Sequence, residues 1–445
     1  MNALRTLILL IFCLGAAEAS QKVLTGIERI VSPEYQSLIR NKKVGLVTNQ
    51  TGVTGTLQSN REFLGQYREA LNVEIIALFA PEHGITGASH AAESVKDTVD
   101  KNIPIYSLHG KHRRPNKEML KNIDVLIFDI QDIGSRSYTY SSTLFYVMEE
   151  AAKHNIPVIV TDRPNPINGR VVDGPMLDPK WRSFIGYINV PYCHGMTIGE
   201  LAKFFNAEYK IGCELKVVPM KGWNRDMTFH DTGLPWVPTS PNIPEDSTPL
   251  YYPMTGIIGE LRLVNIGIGY TLPFKVVGAP WIQAETFAQK LNDQKLPGVL
   301  FQPFHYKPFY GKFAKENCQG IMIVVNDPSK YLPVATQYMI MGLLKSLYPK
   351  EFKLALNQSR KNRDLFNKVN GTDRPFKMLE TNPYPAWSLR EIDQRERQEF
   401  MRRRARYLIG SYDQGAYRNR GKIKHRETQS MAQRDTEYGT EEHRD

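Results

Sequence analysis

The first 190 residues alternate between short, almost continuously apolar runs and longer stretches with the apolar spacing of helices. Unbroken apolar runs are typical of strands buried on both faces of a parallel sheet. Five runs predict such strands: Val44–Thr48, Val73–Ala80, Ile103–Leu108, Val125–Ile130 and Val158–Thr161. Between them, Leu57–Ala70 and Thr143–His154 have helical spacing. This alternation predicts an α/β fold with a Rossmann-like, open and mostly parallel sheet.

The hydrophobic pattern changes near residue 190, where we place a domain boundary. Thr197 and Glu200 form a capping-box pattern that predicts a helix over Leu201–Tyr209. The stretch Leu234–Pro253 contains six prolines, so we expect no regular element there. Further predicted elements are the strands Cys213–Met220 and Ile321–Val325 and the helix Leu332–Leu347. The predicted organisation is a Rossmann-like domain over residues 20–190, an α+β domain over 191–412, and a charged, disordered tail over 413–445.

The N-terminus has the pattern of a secretory signal peptide. Arg5 precedes the apolar run Leu7–Leu14, and Ala17-Glu18-Ala19 fits a small-residue cleavage site. The apolar run is too short to span a bilayer as a helix, which takes about 20 residues. We predict a signal peptide over residues 1–19, cleavage after Ala19, and a secreted or periplasmic protein with no transmembrane segment after cleavage. The alternatives are an uncleaved anchor and a buried N-terminal helix.

Composition narrows the class of protein. Hydrophobic residues make up 41% and charged residues 23% of the 445 residues, which excludes a wholly disordered chain and a polytopic membrane protein. The net charge is +11, but nine basic residues lie between Arg402 and Arg426, so we expect no nucleic-acid partner. This basic stretch is either a solvated tail or a tether to an acidic surface.

The cysteines and the glycine motifs point to no cofactor. Beyond the signal peptide lie Cys193, Cys213 and Cys318, which we expect to be buried as small hydrophobic side chains. The sequence has no Cys/His cluster and no glycine-rich nucleotide-binding motif, so we expect neither a metal nor an organic cofactor. Cys193 and His194 are adjacent and would point to opposite sides of a strand, which disfavours a cysteine nucleophile.

Polar side chains follow four of the predicted strands at the point where each strand ends. In an open parallel sheet, ligands bind in the crevice outside the carboxyl ends of the strands. We therefore expect the four clusters to converge on one edge of the sheet. The clusters are Thr48-Asn49-Gln50-Thr51, Pro81-Glu82-His83-Gly84, Asp129-Ile130-Gln131-Asp132 with Arg136 and Tyr138, and Asp162-Arg163-Pro164-Asn165.

Each cluster also has a structural interpretation. Asn49 is in a position typical of turn formers, Asp162 and Arg163 can form an internal ion pair, and Asp129 can be a structural carboxylate. Glu82 is the strongest catalytic candidate, because the rigid flanking turn holds it directly after an apolar strand, where a carboxylic acid suits general acid catalysis. Carboxylates, amides and an arginine beside aromatic residues suit sugar recognition. The aromatic candidates for stacking on sugar rings, which can equally pack the second domain, are Trp223, Trp236, Tyr251 and Tyr252.

Taken together, several motifs resemble one family, the NamZ-type exo-β-N-acetylmuramidases. The motifs are Gly45–Gly52, Pro81–Gly84, Asp129–Gly134, Asp162–Pro166, His194–Glu200, Ser240–Asn242 and Gly278–Trp281. The resemblance implies an exported glycoside hydrolase that releases terminal N-acetylmuramic acid from peptidoglycan fragments, with Glu82 as the catalytic glutamate. The expected partner is therefore a peptidoglycan-derived amino-sugar substrate. The resemblance also implies a smaller C-terminal domain and an active site in the cleft between the two domains. The candidate substrate-binding residues, several of which lie in these motifs, are Asn49, His83, Gln131, Arg136, Tyr138, Asp162, Arg163, Asn165, His194 and Asn242.

Two points of the function stay open in the sequence. The second catalytic carboxylate, acting as base or nucleophile, is Asp129, Asp132 or Glu260. The stretch Glu260–Phe274 departs from the family pattern, because Ile268 stands where the family usually has an arginine. An arginine there could pair with the lactyl carboxylate of muramic acid, which isoleucine cannot do. The alternative function is therefore a catalytically silent protein that binds envelope glycans or muropeptides.

Overall fold

A computed structural model describes residues 22–89, 93, 96–100 and 102–413. The predicted signal peptide lies outside the described residues, as does all of the charged tail except Asp413. No helix in the described ranges combines the length and the apolar character that a membrane crossing requires.

The first domain is built on a seven-stranded sheet in the order β3-β4-β2-β1-β5-β6-β7. Its strands are β1 (Lys43–Thr48), β2 (Glu74–Ala80), β3 (Thr98–Asp100), β4 (Ile103–Ser107), β5 (Val125–Asp129), β6 (Val158–Thr161) and β7 (Leu215–Val218). All neighbouring strands are parallel except β3, which pairs antiparallel with β4 at the edge. All five residues of β5 are buried, as expected for a strand covered on both faces. The α/β fold predicted from the apolar runs is confirmed.

Short helices cover this sheet. They are α1 (Gly26–Arg29), α2 (Asn60–Gly65), α3 (Arg68–Leu71), α4 (Thr139–Lys153) and α5 (Ile198–Glu208). The single helix predicted over Leu57–Ala70 is two short helices, since the chain bends at Gln66 and Tyr67. The predicted capping box is present at the start of α5, where Thr197 and Glu200 bond to each other's backbone. The domain boundary near residue 190 stays a prediction, and the sheet takes its last strand, β7, from beyond that point.

The second domain packs helices against a three-stranded antiparallel sheet in the order β8-β10-β9. Its strands are β8 (Val276–Ala279), β9 (Val299–Tyr306) and β10 (Cys318–Val325). Its helices are α6 (Thr248–Leu261), α7 (Ala284–Asn292), α8 (Pro333–Leu347), α9 (Pro349–Gln358), α10 (Arg363–Asn370), α11 (Arg374–Thr381), α12 (Ala386–Arg390) and α13 (Gln394–Arg404). Single-turn 3₁₀ helices lie at Gln36–Leu38, Pro179–Trp181, His230–Thr232, Arg360–Asn362 and Gly410–Tyr412. The three cysteines are free and buried, as predicted.

Helix α6 corrects one expectation, because it begins inside the proline-rich stretch that we expected to be irregular. Pro249 lies in the first turn, where a helix needs no backbone N–H. Pro253 lies further inside and removes one backbone bond. Its own carbonyl accepts a bond from the side chain of Gln337, and Gln337 also accepts from the backbone N–H of Ile258. Helix α8, which carries Gln337, thus supports α6 where the sequence alone predicts a break.

Candidate active site

The candidate site lies where the chain changes direction across the sheet. From β1 the chain first builds β2 on one side and later β5 on the other, so the carboxyl ends of β2 and β5 flank that of β1. This is the switch point at which open α/β sheets bind ligands. Glu82 follows β2, and Thr139, which opens α4, follows β5. The hydroxyl of Thr139 donates a hydrogen bond of 2.6 Å to Oε2 of Glu82, which spans the crevice.

A tight turn presents Glu82 at this edge. The N–H of Gly84 donates to the carbonyl of Pro81 at 3.1 Å, which closes the turn around Glu82 and His83. His83 has a φ of 72°, a conformation that a bulky residue adopts only when its surroundings hold it there. Its Nδ1 lies 2.7 Å from the carbonyl of Ser89, so Nδ1 carries the proton and donates. His83 therefore holds the loop that follows Glu82.

His109 is a neighbour of Glu82 that the sequence reasoning missed. Its Nε2 lies 3.5 Å from Oε1 of Glu82, and only 8% of the His109 side chain and 11% of the Glu82 side chain are exposed. Burial lowers the pKa of His109, and the charge of Glu82 only partly opposes this. A signal was available, because Leu108-His109 follows β4 as the other clusters follow their strands.

Helix α6 carries Tyr252, which reaches the start of α4, and the candidate carboxylate Glu260. The hydroxyl of Tyr252 lies 3.2 Å from Oγ of Ser137, next to the start of α4. Burial raises the pKa of Tyr252 to about 12, and the charges of Glu260 and Glu82 add to this rise. Glu260 lies two turns further along α6, and burial raises its pKa against the opposing charge of Arg262.

Asp129 lies at the same edge but in a closed environment. It is fully buried and its Oδ1 and Oδ2 accept from the Arg163 guanidinium at 2.7 and 2.9 Å. Asn60 and Thr161 donate to the same carboxylate at 2.8 and 2.9 Å. Four donors therefore surround Asp129, and Arg163 is turned inward. The arrangement fits the structural interpretation of Asp129. The ion pair that the sequence suggested between Asp162 and Arg163 is wrong in its acid, because the Arg163 guanidinium pairs with Asp129.

Asp162 is likewise surrounded by hydrogen-bond donors of the protein itself. It accepts from the backbone N–H of Arg163 and of Gly199 and from the hydroxyls of Thr197 and Tyr412. These bonds join β6 to the start of α5 and to the end of the described chain. Burial raises the pKa of Asp162 to about 7, with the charge of Glu200 contributing.

Gln131 and Asp132 lie in the turn between β5 and α4, and Asn165, which follows β6, packs against this turn. Asp132 accepts from the N–H of Gly134, and burial raises its pKa to about 7. Gln131 donates to the carbonyls of Asp132 and Pro164. Gly134 has a φ of 80°, and a Cβ there would lie 2.2 Å from Oδ1 of Asn165, so only glycine fits.

Arg136 and His194 are placed away from the expected sugar site. Arg136 is buried and donates to four backbone carbonyls, which tie the first domain to α10 of the second: those of Pro175, Val190, Val369 and Asn370. Nδ1 of His194 accepts from the N–H of Met196, and burial, with the charges of Arg404 and Arg136, lowers its pKa to about 3. His194 is neutral and enclosed, and the terminal nitrogens of Arg136 already donate to carbonyls. Both side chains therefore have a structural role.

The remaining predicted site residues, Tyr138, Asn49 and Asn242, have different surroundings. Tyr138 donates to Thr239 at 2.8 Å and packs edge-on against Tyr252, so it forms part of the wall of the crevice. Asn49 accepts from the N–H and hydroxyl of Thr51, which is the turn-forming arrangement. Asn242 is partly exposed on the loop before α6.

The structure places the four aromatic candidates in different surroundings. Trp223 is buried against Tyr412, and Trp236 packs edge-on against Phe229, so both pack the interior. The amino group of Lys275 lies 5.4 Å from the centre of the Tyr251 ring. The ring of Tyr252 packs edge-on against Tyr138 and Phe274, and its hydroxyl faces Ser137. Within the described ranges, no group of three or more His, Cys, Asp or Glu side chains is arranged to hold a metal ion.

Candidate carboxylates at the carboxyl edge of a parallel sheet are the side chains that a glycosidase requires. The N-terminal family model of the exo-β-N-acetylmuramidase NamZ matches residues 44–247, and the C-terminal model of the same family matches residues 250–409. The chain belongs to this NamZ family, as its motifs predicted.

Individual relatives agree with this assignment. The peptidoglycan β-N-acetylmuramidase NamZ of Bacillus subtilis is 39% identical over 390 residues, which are 87% of this chain and 91% of that protein. A crystal structure of a DUF1343 family protein from Bacteroides fragilis matches with a TM-score of 0.80 at 39% identity, over 87% of this chain and 99% of that one. A second DUF1343 protein from the same organism matches with a TM-score of 0.66 at 26% identity, with the same coverage. The fold with its smaller second domain is thereby confirmed.

Proposed function

We propose that this glycosidase releases terminal N-acetylmuramic acid, or a related amino sugar, from peptidoglycan fragments, with Glu82 as the general acid. The observation that carries the proposal is the placement of Glu82 at the switch point of the sheet, bonded to the first residue of α4. The B. subtilis relative, by its name, acts on peptidoglycan as a β-N-acetylmuramidase. Glu82 would donate a proton to the glycosidic oxygen as the bond to the sugar breaks.

Among the three candidates for the second carboxylate, we infer Glu260. Asp129 is surrounded by four donors and paired with Arg163, so neither of its oxygens is available to a water molecule or a sugar. Asp132 is buried within its own turn. Burial raises the pKa of Glu260, and the charge of Arg262 opposes this rise. The charges of Glu260 and of Glu82 both raise the pKa of Tyr252. As base it would activate water for inversion, and as nucleophile it would lead to retention.

The loop after α6 bears on which sugar is bound. The side chain of Asn265 donates to the carbonyl of Ile268 at 3.0 Å, and Ile268 packs against the main hydrophobic cluster. This position thus offers an apolar surface where an arginine would offer a charge. A sugar without a free lactyl carboxylate would fit such a surface better than free muramic acid.

We also propose that the protein acts outside the cytoplasm. This proposal is supported by the sequence of residues 1–20, in which a basic residue is followed by an apolar run and then by small residues. Expression of the whole chain followed by N-terminal sequencing of the exported product tests this. A mature N-terminus at Ser20 is expected, and retention of Met1 in a cytoplasmic product would contradict export.

The activity is tested by release of N-acetylmuramic acid, by residues 20–445, from a disaccharide that has this sugar at its non-reducing end. The control is the disaccharide with N-acetylglucosamine at that end, and a sugar leaving group is used because its departure needs the proton of the acid. Glu82→Gln keeps the shape of the side chain but has no proton to donate. We expect kcat to fall about 10³-fold or more, as for the combined loss of acid catalysis and of positioning. Undiminished turnover in Glu82→Gln would move the acid elsewhere, to be sought with Glu260→Gln. A folded wild-type protein that binds muropeptides but cleaves neither sugar would support the binding-protein alternative.

A further inference from the structure

The structure places a side chain at each carboxylate oxygen of Glu82. Thr139 donates to Oε2 at 2.6 Å, and Nε2 of His109 lies 3.5 Å from Oε1. We propose that His109 is a positioning residue that, as a neutral imidazole, directs its Nε2–H at Oε1 and holds the carboxyl in line with the glycosidic oxygen. This proposal rests on the proposed role of Glu82.

The surroundings of His109 determine which ring nitrogen carries the proton. Nδ1 is buried and has no hydrogen-bond partner among the described residues. A buried N–H without an acceptor is costly, so the proton is better placed on Nε2, which faces Glu82. The backbone N–H of His109 donates to the hydroxyl of Ser107, and its ring lies 5.8 Å from the ring of Phe184. The imidazole is therefore held in one orientation by its backbone and by an aromatic neighbour.

The charge state of His109 matters because of its distance from Glu82. Burial lowers its pKa, and the charges of Arg113 and His83 lower it further, whereas Glu82 alone raises it. A protonated imidazole at this distance would favour the carboxylate form of Glu82 and so remove the proton that a general acid must supply. A neutral ring avoids this and still donates to Oε1 once Glu82 has lost its proton. Hydrogen bonds of this kind are often long before substrate binds and shorten in the complex.

A matched pair of substitutions separates positioning from packing. His109→Gln keeps an N–H donor and loses the ring, whereas His109→Phe keeps the ring against Phe184 and loses the donor. If His109 positions Glu82, the His109→Gln variant should retain kcat within about threefold, and the His109→Phe variant should lower it about 10- to 100-fold, with little change in KM. In the plot of kcat/KM against pH, the fall at alkaline pH should move to higher pH in His109→Phe alone. The reason is that the Glu82 carboxylate loses a hydrogen-bond donor, which raises the pKa of Glu82.

A packing role predicts the reverse order, with His109→Phe active and His109→Gln impaired, and that result would overturn the proposal. Equal activity of both variants would overturn it too. His154→Gln, at the far end of α4, is the control for histidine substitution and should match the wild type. If Glu82→Gln retains full activity, the proposed function fails, and a direct measurement on His109 is then needed.

That measurement is nitrogen-15 NMR of the histidine-labelled protein, with the His109 signals assigned by their absence in His109→Gln. We expect the neutral Nε2–H tautomer at pH 7 and a titration midpoint below the usual histidine value of about 6.5. The Nδ1–H tautomer, or a ring protonated at pH 7, would refute the proposal whatever the kinetics show. Circular dichroism confirms that each variant is folded.

Discussion

Two carboxylates at the same edge of the same sheet have opposite environments. Asp129 at the end of β5 is fully buried among four donor atoms, two of them in the guanidinium of Arg163. Glu82 after β2 is held by a hydroxyl on one oxygen and approached by a buried imidazole on the other. The donors around Asp129 stabilise a carboxylate that stays charged. The second arrangement suits a group that must gain and lose a proton.

The comparison shows why motif position alone does not separate catalytic from structural residues. Both carboxylates follow an apolar strand, and both lie in motifs of the same family. Their difference comes from partners distant in sequence, since Arg163 follows β6 and Thr139 opens α4. An ion pair enclosed by further donors stabilises the carboxylate form, whereas neutral donors leave both forms accessible.

The largest expected effect comes from Asp129→Asn. This change leaves the guanidinium of Arg163 buried without a counter-charge, and breaking such a pair costs about 3–5 kcal/mol in the free energy of unfolding. Urea denaturation of Asp129→Asn and of Glu82→Gln measures both sides of the comparison. We expect Glu82→Gln to change the free energy of unfolding by less than about 1 kcal/mol. Equal losses of stability would erase the distinction between the two sites.

A third carboxylate sharpens the comparison through its pH dependence. Burial raises the pKa of Asp132 from 3.8 to about 7. Between about pH 4 and pH 7 the folded protein keeps this proton while the unfolded chain has lost it, so stability present below pH 4 is lost as the pH rises to 7. The Asp132→Asn variant cannot ionise at this position, and we expect it to raise the free energy of unfolding at pH 8 by about 1–3 kcal/mol.

Urea denaturation of Asp132→Asn at a series of pH values between 4 and 8 measures this effect. The amide oxygen introduced by this substitution can still accept from the N–H of Gly134. The exposed Asp293→Asn is the control and should follow the wild type at every pH. If the free energy of unfolding changed with pH in the same way in Asp132→Asn and in the wild type, Asp132 would be ionised in the folded protein.

The smallest effect is expected from Thr139→Val, which removes the donor to Oε2 of Glu82 and keeps the shape of the side chain. We expect kcat to fall about tenfold, equivalent to roughly 1.4 kcal/mol in the activation free energy. Thr143→Val, one turn further along α4, is the matched control, because its hydroxyl bonds to the carbonyl of Thr139 rather than to Glu82. A loss in Thr143→Val as large as that in Thr139→Val would point to a general effect on the helix.

Much of the fold was predictable because its signals are local. Apolar runs placed the strands β1, β2, β5 and β6 within a few residues, and a capping box placed the start of α5. The start of α6 was not predictable, because a side chain of α8 compensates for the proline inside it. Bonds of that kind join residues about 80 positions apart and leave no local pattern.

The candidate site divides in the same way. The convergence of Glu82, Asp129 and Asp162 on one edge follows from parallel strands, which the sequence indicates. The sequence did not show that Arg136 bonds to carbonyls of the second domain, or that His109 approaches Glu82. His109 follows a strand in the same way as the other candidates, but its motif carried no family resemblance.

By itself, the sequence determined the class of fold, the family and the edge of the sheet at which the polar residues meet. These follow from the periodicity of apolar residues and from short motifs, which depend on neighbours along the chain. Only the tertiary structure decided that Asp129 is enclosed by donors and that Glu82 lies between a hydroxyl and an imidazole. The physical reason is that the charge state of a carboxyl group depends on burial and on partners within a few ångströms, and folding brings those partners from distant parts of the chain.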